Sequence, residues 1–162
     1  MSSLVLRPAL SEDAGLILQF IRELAEYERL LDMVVADEDR IRAMLFGARP
    51  FAEVVLAEWE GKPAGFALFF HNFSTFLAKP GIYLEDLFVR PEFRGRGIGK
   101  ALLQRLAELA LERGCGRLEW AVLDWNKPSI DFYESLHAKP MSEWIVYRLT
   151  GESLEALGSA QV

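Results

Sequence analysis

Residues 94–100 read Arg94-Gly95-Arg96-Gly97-Ile98-Gly99-Lys100. A segment rich in Ile, Tyr, Phe and Val (82–89) precedes them. A long periodic segment (97–113) follows, with Ile98, Leu102, Leu106, Leu109 and Ala110 on one helical face. The stretch predicts a strand-to-helix turn. Its glycines let backbone N–H groups point outward together and come close to a ligand. The helix N-terminus adds partial positive charge, so the turn suits a phosphate or pyrophosphate, and Arg94, Arg96 and Lys100 reinforce it. Two common phosphate patterns fail on spacing. A P-loop needs Gly, four residues, then Gly-Lys-Ser/Thr, whereas Gly95 and Gly99 are too close and Ala101 replaces the hydroxyl. A dinucleotide fingerprint needs glycine where Lys100 stands and opens the first βαβ unit, whereas this turn lies past mid-chain.

The rest of the chain alternates strand and helix patterns, which favours a layered α/β or α+β domain. Residues 4–7 read as a strand closed by Pro8. Ser11 is a candidate cap for a helix carrying Ile17, Phe20, Ile21 and Leu24. A second helix spans 37 or 38 to 46, with Ile41, Met44 and Leu45 inward. Segments 51–59 and 64–70 read as a hairpin about the turn 60–63, and 72–81 as a loop. Further strands are expected at 117–123 and 143–149, and a helix at 127–137 capped by Asn126. The hairpin argues against an all-parallel sheet. One domain over 1–150 is expected, with 151–162 a tail that is helical or partly disordered.

The 162 residues suit one core, and 51% hydrophobic with 12% aromatic content excludes disorder as the overall state. With 18 Lys+Arg against 24 Asp+Glu, net −6, the chain lacks the basic footprint of a general nucleic-acid binder and is compatible with cationic partners. The charge is unevenly placed. Residues 94–107 hold Arg94, Arg96, Lys100 and Arg105 with no acid, whereas 23–39 hold seven acids and one base. A single cysteine, Cys115, excludes an internal disulfide and reads as a buried structural thiol. The two histidines, His71 and His137, lie far apart, so no metal is expected, and they read as loop and helix-end residues. No secretory leader is visible in 1–7 and no apolar run approaches the ~18 residues of a membrane span. No membrane association and a cytoplasmic location are expected.

Arg94, Gly97 and Gly99 fit the pattern Arg/Gln-x-x-Gly-x-Gly/Ala. Tyr83-Leu84-Glu85-Asp86-Leu87-Phe88-Val89-Arg90-Pro91 precedes it, and Asp124-Trp125-Asn126-Lys127-Pro128-Ser129-Ile130-Asp131-Phe132-Tyr133 follows. Together these resemble the GNAT N-acetyltransferase superfamily. Arg22-Glu23-Leu24-Ala25-Glu26-Tyr27-Glu28 and Ala121-Val122-Leu123-Asp124-Trp125-Asn126 narrow the resemblance to its diamine branch, the spermidine/spermine and thialysine N-acetyltransferases. The resemblance implies a bent mixed sheet flanked by helices, with splayed fourth and fifth strands, acetyl-CoA in the splay, and a homodimer. It implies that Leu87, Phe88 and Val89 meet the pantetheine arm. Gly95, Arg96, Gly97, Ile98, Gly99 and Lys100, with Arg94, would wrap the pyrophosphate, and Asn126, Lys127, Pro128 and Ser129 would line the cofactor from the other side. Substrate contacts would come from Tyr27, Glu28, Glu85, Asp86 and Glu119. The chain departs from the family at His137, where glycine is common, and in its short 140–144 segment.

Amine acetylation begins with an ammonium of pKa ~10.4, which costs about 4–5 kcal/mol to deprotonate at pH 7. A nearby carboxylate takes that proton directly or through water. Glu85 is the expected base and Asp86 a supporting acid, since alternation puts neighbours on opposite faces unless a bulge intervenes. Tyr133, which matches the family's tyrosine, is the expected proton donor to the leaving thiolate. A backbone N–H of Leu87 or Phe88 would serve the acetyl oxygen. The alternatives are another amine class (a protein N-terminus or lysine, or an aminoglycoside) and a CoA-binding module without catalysis.

Overall fold

The computed structural model describes residues 2–161; Met1 and Val162, the ends of the expected domain and tail, lie outside the described residues. The chain divides into two compact units, meeting in sequence at Leu123 and Asp124.

The first unit is a five-stranded sheet in sequence order: β1 (Leu4–Pro8), β2 (Glu53–Trp59), β3 (Lys62–Ser74), β4 (Lys79–Val89) and β5 (Leu118–Trp120). The first four strands run antiparallel and β5 joins β4 in parallel, so the sheet is mixed. Helices α1 (Ala14–Tyr27) and α2 (Glu38–Phe46) separate β1 from β2, and α3 (Ile98–Glu112) separates β4 from β5.

Local chemistry explains most boundaries. Asp37 caps α2 by accepting the Arg40 N–H at 2.7 Å. Glu60 and Gly61, at φ 49° and 77°, make a two-residue turn between paired Trp59 and Lys62. Helix α3 ends where Gly114, at φ 69°, lets the Cys115 N–H reach Ala110 O at 2.8 Å. Helix α1 ends the same way on Arg29, at φ 61°, with the Leu30 N–H donated to Ala25 O at 2.7 Å.

Phe20 of α1 stacks on Phe66 at 5.3 Å and meets the edge of Phe88 at 6.4 Å, and Ile17, Ile41, Val54 and Leu56 complete this core. Helix α3 packs against β2, β3 and β4 through buried Ile98, Leu102, Leu103, Leu106 and Ala110.

Several expectations are corrected. Ser11 opens a 3-10 turn rather than capping α1; Asp13 instead accepts the Leu10 N–H and binds Arg7. Met44 is half exposed rather than inward. The expected loop 72–81 is mostly strand, because β3 and β4 stay in register out to Ser74 and Lys79. His71 therefore lies in a strand, and Cys115 is half-buried rather than buried. Strand β5 covers three of the seven residues expected, and no strand forms at 143–149.

The second unit contains α4 (Lys127–Ser135) and α5 (Gly151–Ser159). Asn126 is buried and caps α4, accepting the Ser129 N–H at 3.4 Å. Helix α4 ends on His137 at φ 65°, with the Ala138 N–H donated to Tyr133 O at 3.2 Å and the His137 N–H to Glu134 O at 2.9 Å. A left-handed residue in this closure explains why glycine is common in the family at that position.

Candidate active site

Two charged regions of the first unit carry the candidate chemistry. The acidic one is built on β4. Its pairing with β3 runs Val89 to Asp86 against Gly65 to Leu68, then resumes at Leu84 against Phe69, leaving Glu85 as an extra residue. This bulge ends the strict alternation that would separate Glu85 from Asp86. Glu85 is exposed and Asp86 is largely buried. Burial foremost, then the charges of Glu85 and of Glu28, push the Asp86 carboxyl up to about 6. Glu28, at the end of α1, is itself raised by burial. Residues far apart in sequence thus form one acidic group.

The same stretch of β4 faces a gap in the sheet. Strand β5 pairs only with Ile82–Leu84, so Glu85 to Val89 have no sheet partner on that side among the described residues. Leu87 and Val89 are half-buried there and Phe88 belongs to the core. Arg90 fixes the end of the strand to α1. Its side chain donates to Glu23 and to Pro63 O, each at 3.0 Å, and lies 4.8 Å over the Phe20 ring.

The basic region follows immediately. Gly95 and Gly97 both adopt φ 77°, and a Cβ on either would meet nothing within 4 Å. Backbone conformation favours glycine there, and the space before it is open. Gly97 caps α3, so the N–H groups of Ile98, Gly99 and Lys100 have no acceptor within the helix. Ile98 itself is buried and anchors the turn. A Cβ on Gly99 would sit 3.8 Å from Val89, an ordinary contact, in keeping with the Gly/Ala tolerance of the pattern. Arg96 stacks on Trp59 at 5.0 Å, and Lys100 is exposed. Left-handed glycines, free helix amides and solvated cations fit an anionic phosphate group. Arg94 joins the two regions: it donates to Val89 O at 2.9 Å and stacks over Tyr27 at 5.1 Å and Phe88 at 5.7 Å.

Not every expected residue joins these regions. Glu119 lies on β5 opposite Tyr83, where its carboxylate accepts from Arg117 at 2.7 Å and Asn72 at 3.0 Å. In the second unit, Pro128 and Ser129 lie in the first turn of α4, and Lys127 donates to Asp131 of its own helix at 2.8 Å. Tyr133 is half-buried on α4 with its ring 5.6 Å from Phe132. Among the described residues no cluster of three or more His, Cys, Asp or Glu is placed to hold a metal. No helix among them is long and apolar enough to cross a membrane.

Sequence reasoning missed the roles of Arg90 and of the Arg94–Tyr27 stack, because both depend on α1 packing beside β4. The bulge left a signal: Leu84-Glu85-Asp86-Leu87 puts two polar residues between apolar ones, which a regular half-buried strand does not do.

Comparison with known proteins identifies the family. The profile described as the Acetyltransferase (GNAT) family matches residues 18–138, running through both units. A thialysine N-epsilon-acetyltransferase of Sus scrofa is 42% identical over 97% of this chain and 98% of its own. An L-ornithine N5-acetyltransferase of Arabidopsis thaliana is 33% identical over 97% of this chain and 89% of its own. Among solved structures, an integron cassette protein from the mobile metagenome of V. cholerae superposes with a TM-score of 0.84 at 26% identity, covering 99% of this chain and all of that one. The family profile over most of the chain, the full-length relatives and the superposition agree, and the chain belongs to the GNAT family of N-acetyltransferases.

Proposed function

We propose that the protein transfers the acetyl group of acetyl-CoA to a primary amine of a small diamine, polyamine or diamino acid of the thialysine kind, by direct attack within a ternary complex. The observation that carries this reading is the group Glu28, Glu85 and Asp86 at the β4 bulge, beside the unpaired side of the strand. Three carboxylates favour a cationic amine, and the names of the full-length relatives point to the same chemical class.

The residues proposed to hold the cofactor are Arg94 to Lys100 at its phosphates, Leu87 to Val89 along its arm, and Asn126 to Ser129. Bound acetyl-CoA supplies an activated acyl group and a thiolate leaving group. Glu85 takes the proton of the substrate ammonium, directly or through water. Asp86 and Glu28 hold the cationic form at the site until that proton leaves. A backbone N–H of Leu87 or Phe88 donates to the acyl oxygen. Tyr133 Oη holds the proton that the departing thiolate takes up. Tyr27 and Glu119 complete the proposed substrate contacts, Glu119 only by sharing its carboxylate with Arg117 and Asn72. A second reading, in which Asp86 itself is the base, is favoured by its carboxyl lying near 6, closer to working pH than an ordinary aspartate.

Residues 1–150 act in this proposal as one acetyltransferase domain, working as a homodimer in the cytoplasm. The family match across both units supports the first statement, and the lone cysteine accords with a reducing compartment. The test is an amine panel with acetyl-CoA: spermidine, spermine, putrescine, thialysine, lysine and a lysine peptide. Turnover of a small diamine or diamino acid is expected. Failure of every small amine would overturn the reading.

A further inference from the structure

The sheet face that carries the acidic group carries a second set of charges further along. Because Glu85 is the extra residue of the bulge, Asp86 and Tyr83 fall on one face of β4, paired with Leu68 and Phe70 of β3. Glu119 of β5 lies opposite Tyr83 on that face. The face therefore runs from Asp86 across the rings of Phe70 and Tyr83, whose centroids are 5.3 Å apart, to Asn72, Arg117 and Glu119. Gly81 makes room at this far end. A Cβ there would collide with Asn72 Oδ1 and stand 3.1 Å from Arg117 Cγ, so its absence lets both side chains close over β4.

The ion pair at this end leaves bonding capacity on both partners. Arg117 Nε and Asn72 Nδ2 both donate to Glu119 Oε1, at 2.7 and 3.0 Å, and Arg117 Nη2 donates to Phe73 O at 3.3 Å. Arg117 Nη1 and Glu119 Oε2 have no partner among the described residues, and the two side chains are 38% and 37% exposed. A cationic donor beside an anionic acceptor matches the carboxylate and ammonium of an α-amino acid head. A second plain ammonium would gain Glu119 but meet the charge of Arg117. The spacing agrees. Asp86 and Glu119 are two residues and one strand apart, roughly 8 Å between Cα atoms. In a lysine-length ligand, six bonds of about 1.5 Å set the side-chain nitrogen roughly 7 Å from the α-nitrogen.

We infer that the Arg117–Glu119 pair clamps the zwitterionic head of a diamino acid, Nη1 on its α-carboxylate and Oε2 on its α-ammonium, while the acidic group at the β4 bulge receives the side-chain amine that is acetylated. The inference rests on the proposed acetylation of small amines. It adds which of the three amine classes is preferred, which way the substrate lies, and that Arg117 determines the preference.

The test measures kcat/KM for matched pairs that differ only in the carboxylate, L-lysine against cadaverine and L-ornithine against putrescine, in wild type and in Arg117→Gln. Wild type should prefer the amino acid by about 10–100-fold, the worth of a hydrogen bond to a charged group, with the acetyl group on the side-chain nitrogen. Arg117→Gln should abolish that preference by lowering the amino acid and raising the diamine, because Glu119 is then released from its cation. A merely structural role for Arg117 would lower both substrates alike, and that result overturns the inference. Equal wild-type turnover of the paired substrates, or acetylation at the α-nitrogen, also overturns it while leaving the proposed function standing. No turnover of any small amine removes both. Lysinamide with wild-type protein asks the same question without a variant: a loss of about 10-fold or more against lysine supports the clamp, and equal turnover overturns it.

Discussion

The acidic group gathered at the β4 bulge and the basic turn that begins eight residues after Asp86 are neighbours along the chain at that point, yet they hold charge by opposite means. Glu85, Asp86 and Glu28 crowd like charges at a partly desolvated place, and the Asp86 carboxyl rises to about 6 as a result. Arg94, Arg96 and Lys100 stay exposed, and the two arginines lean on aromatic faces. Crowded acids lose stability by being together and regain it when a cation arrives. Spread bases are stable alone and offer a fixed anion site. That difference suits a site which must bind one ligand as a cation and then remove its proton, and another that stays anionic throughout.

The comparison breaks first at Glu85. Glu85→Gln is expected to lower kcat/KM by about 10²–10⁴-fold at neutral pH, with part of the activity returning at high pH; a flat pH–rate profile with unchanged kcat/KM removes Glu85 as the base. Neither region supplies a proton to the thiolate, so Tyr133→Phe should cut kcat by up to a similar factor while acetyl-CoA affinity by calorimetry stays within a few-fold. Unchanged turnover would dismiss Tyr133 as the donor.

Asp86→Asn sharpens the contrast through stability. A carboxyl raised from 3.8 to about 6 in the folded state keeps a proton that the unfolded chain has lost. Stability therefore falls as pH rises from about 4 to about 6, and the loss is complete above that. At pH 7 it amounts to about 3 kcal/mol, at 1.36 kcal/mol per pH unit. The variant should raise Tm at pH 7 by up to that equivalent and leave it unchanged near pH 4. A gain equal at both pH values would show that desolvated charge is not the cause. If ionised Asp86 is needed, the acid limb of kcat/KM should lie near 6, and Glu85→Gln should move it lower.

On the basic side, Gly97→Ala places a Cβ at φ 77° with nothing to clash against. The cost is backbone strain of about 1–2 kcal/mol, read as a weaker acetyl-CoA affinity, a lower Tm, or both. The smallest effect lies outside both regions. His137 holds the same left-handed conformation at the end of α4, so His137→Gly should stabilise the chain by up to about 1 kcal/mol in a denaturant melt.

The basic turn was legible because its requirements are local. Gly95 and Gly97 occupy left-handed positions, Ile98 starts a periodic helix, and the cations are neighbours in sequence. The acidic group was legible only as a list of members. Glu28 and Asp86 are 58 positions apart in the numbering, and no spacing rule joins them. The bulge that ends alternation at Glu85 is a property of how β4 pairs with Leu68 and Phe69 of β3. Strand formation divides in the same way. Segments 82–89 and 143–149 read alike, but among the described residues only the first pairs with a neighbouring strand, and a strand without a partner does not form.

The order of elements, the α2 cap at Asp37, the glycine turn and the residue types of an amine-acetylating site are properties of the sequence by itself, because hydrophobic period, capping and backbone freedom act over a few residues. The tertiary structure decided that Asp86 is the desolvated acid and Glu85 the exposed one, that Arg94 ties Tyr27 to the glycine turn, and that β5 ends after three residues. Desolvation, cation–π contact and strand pairing each depend on what a residue faces across the fold, and the chain's own order does not specify that.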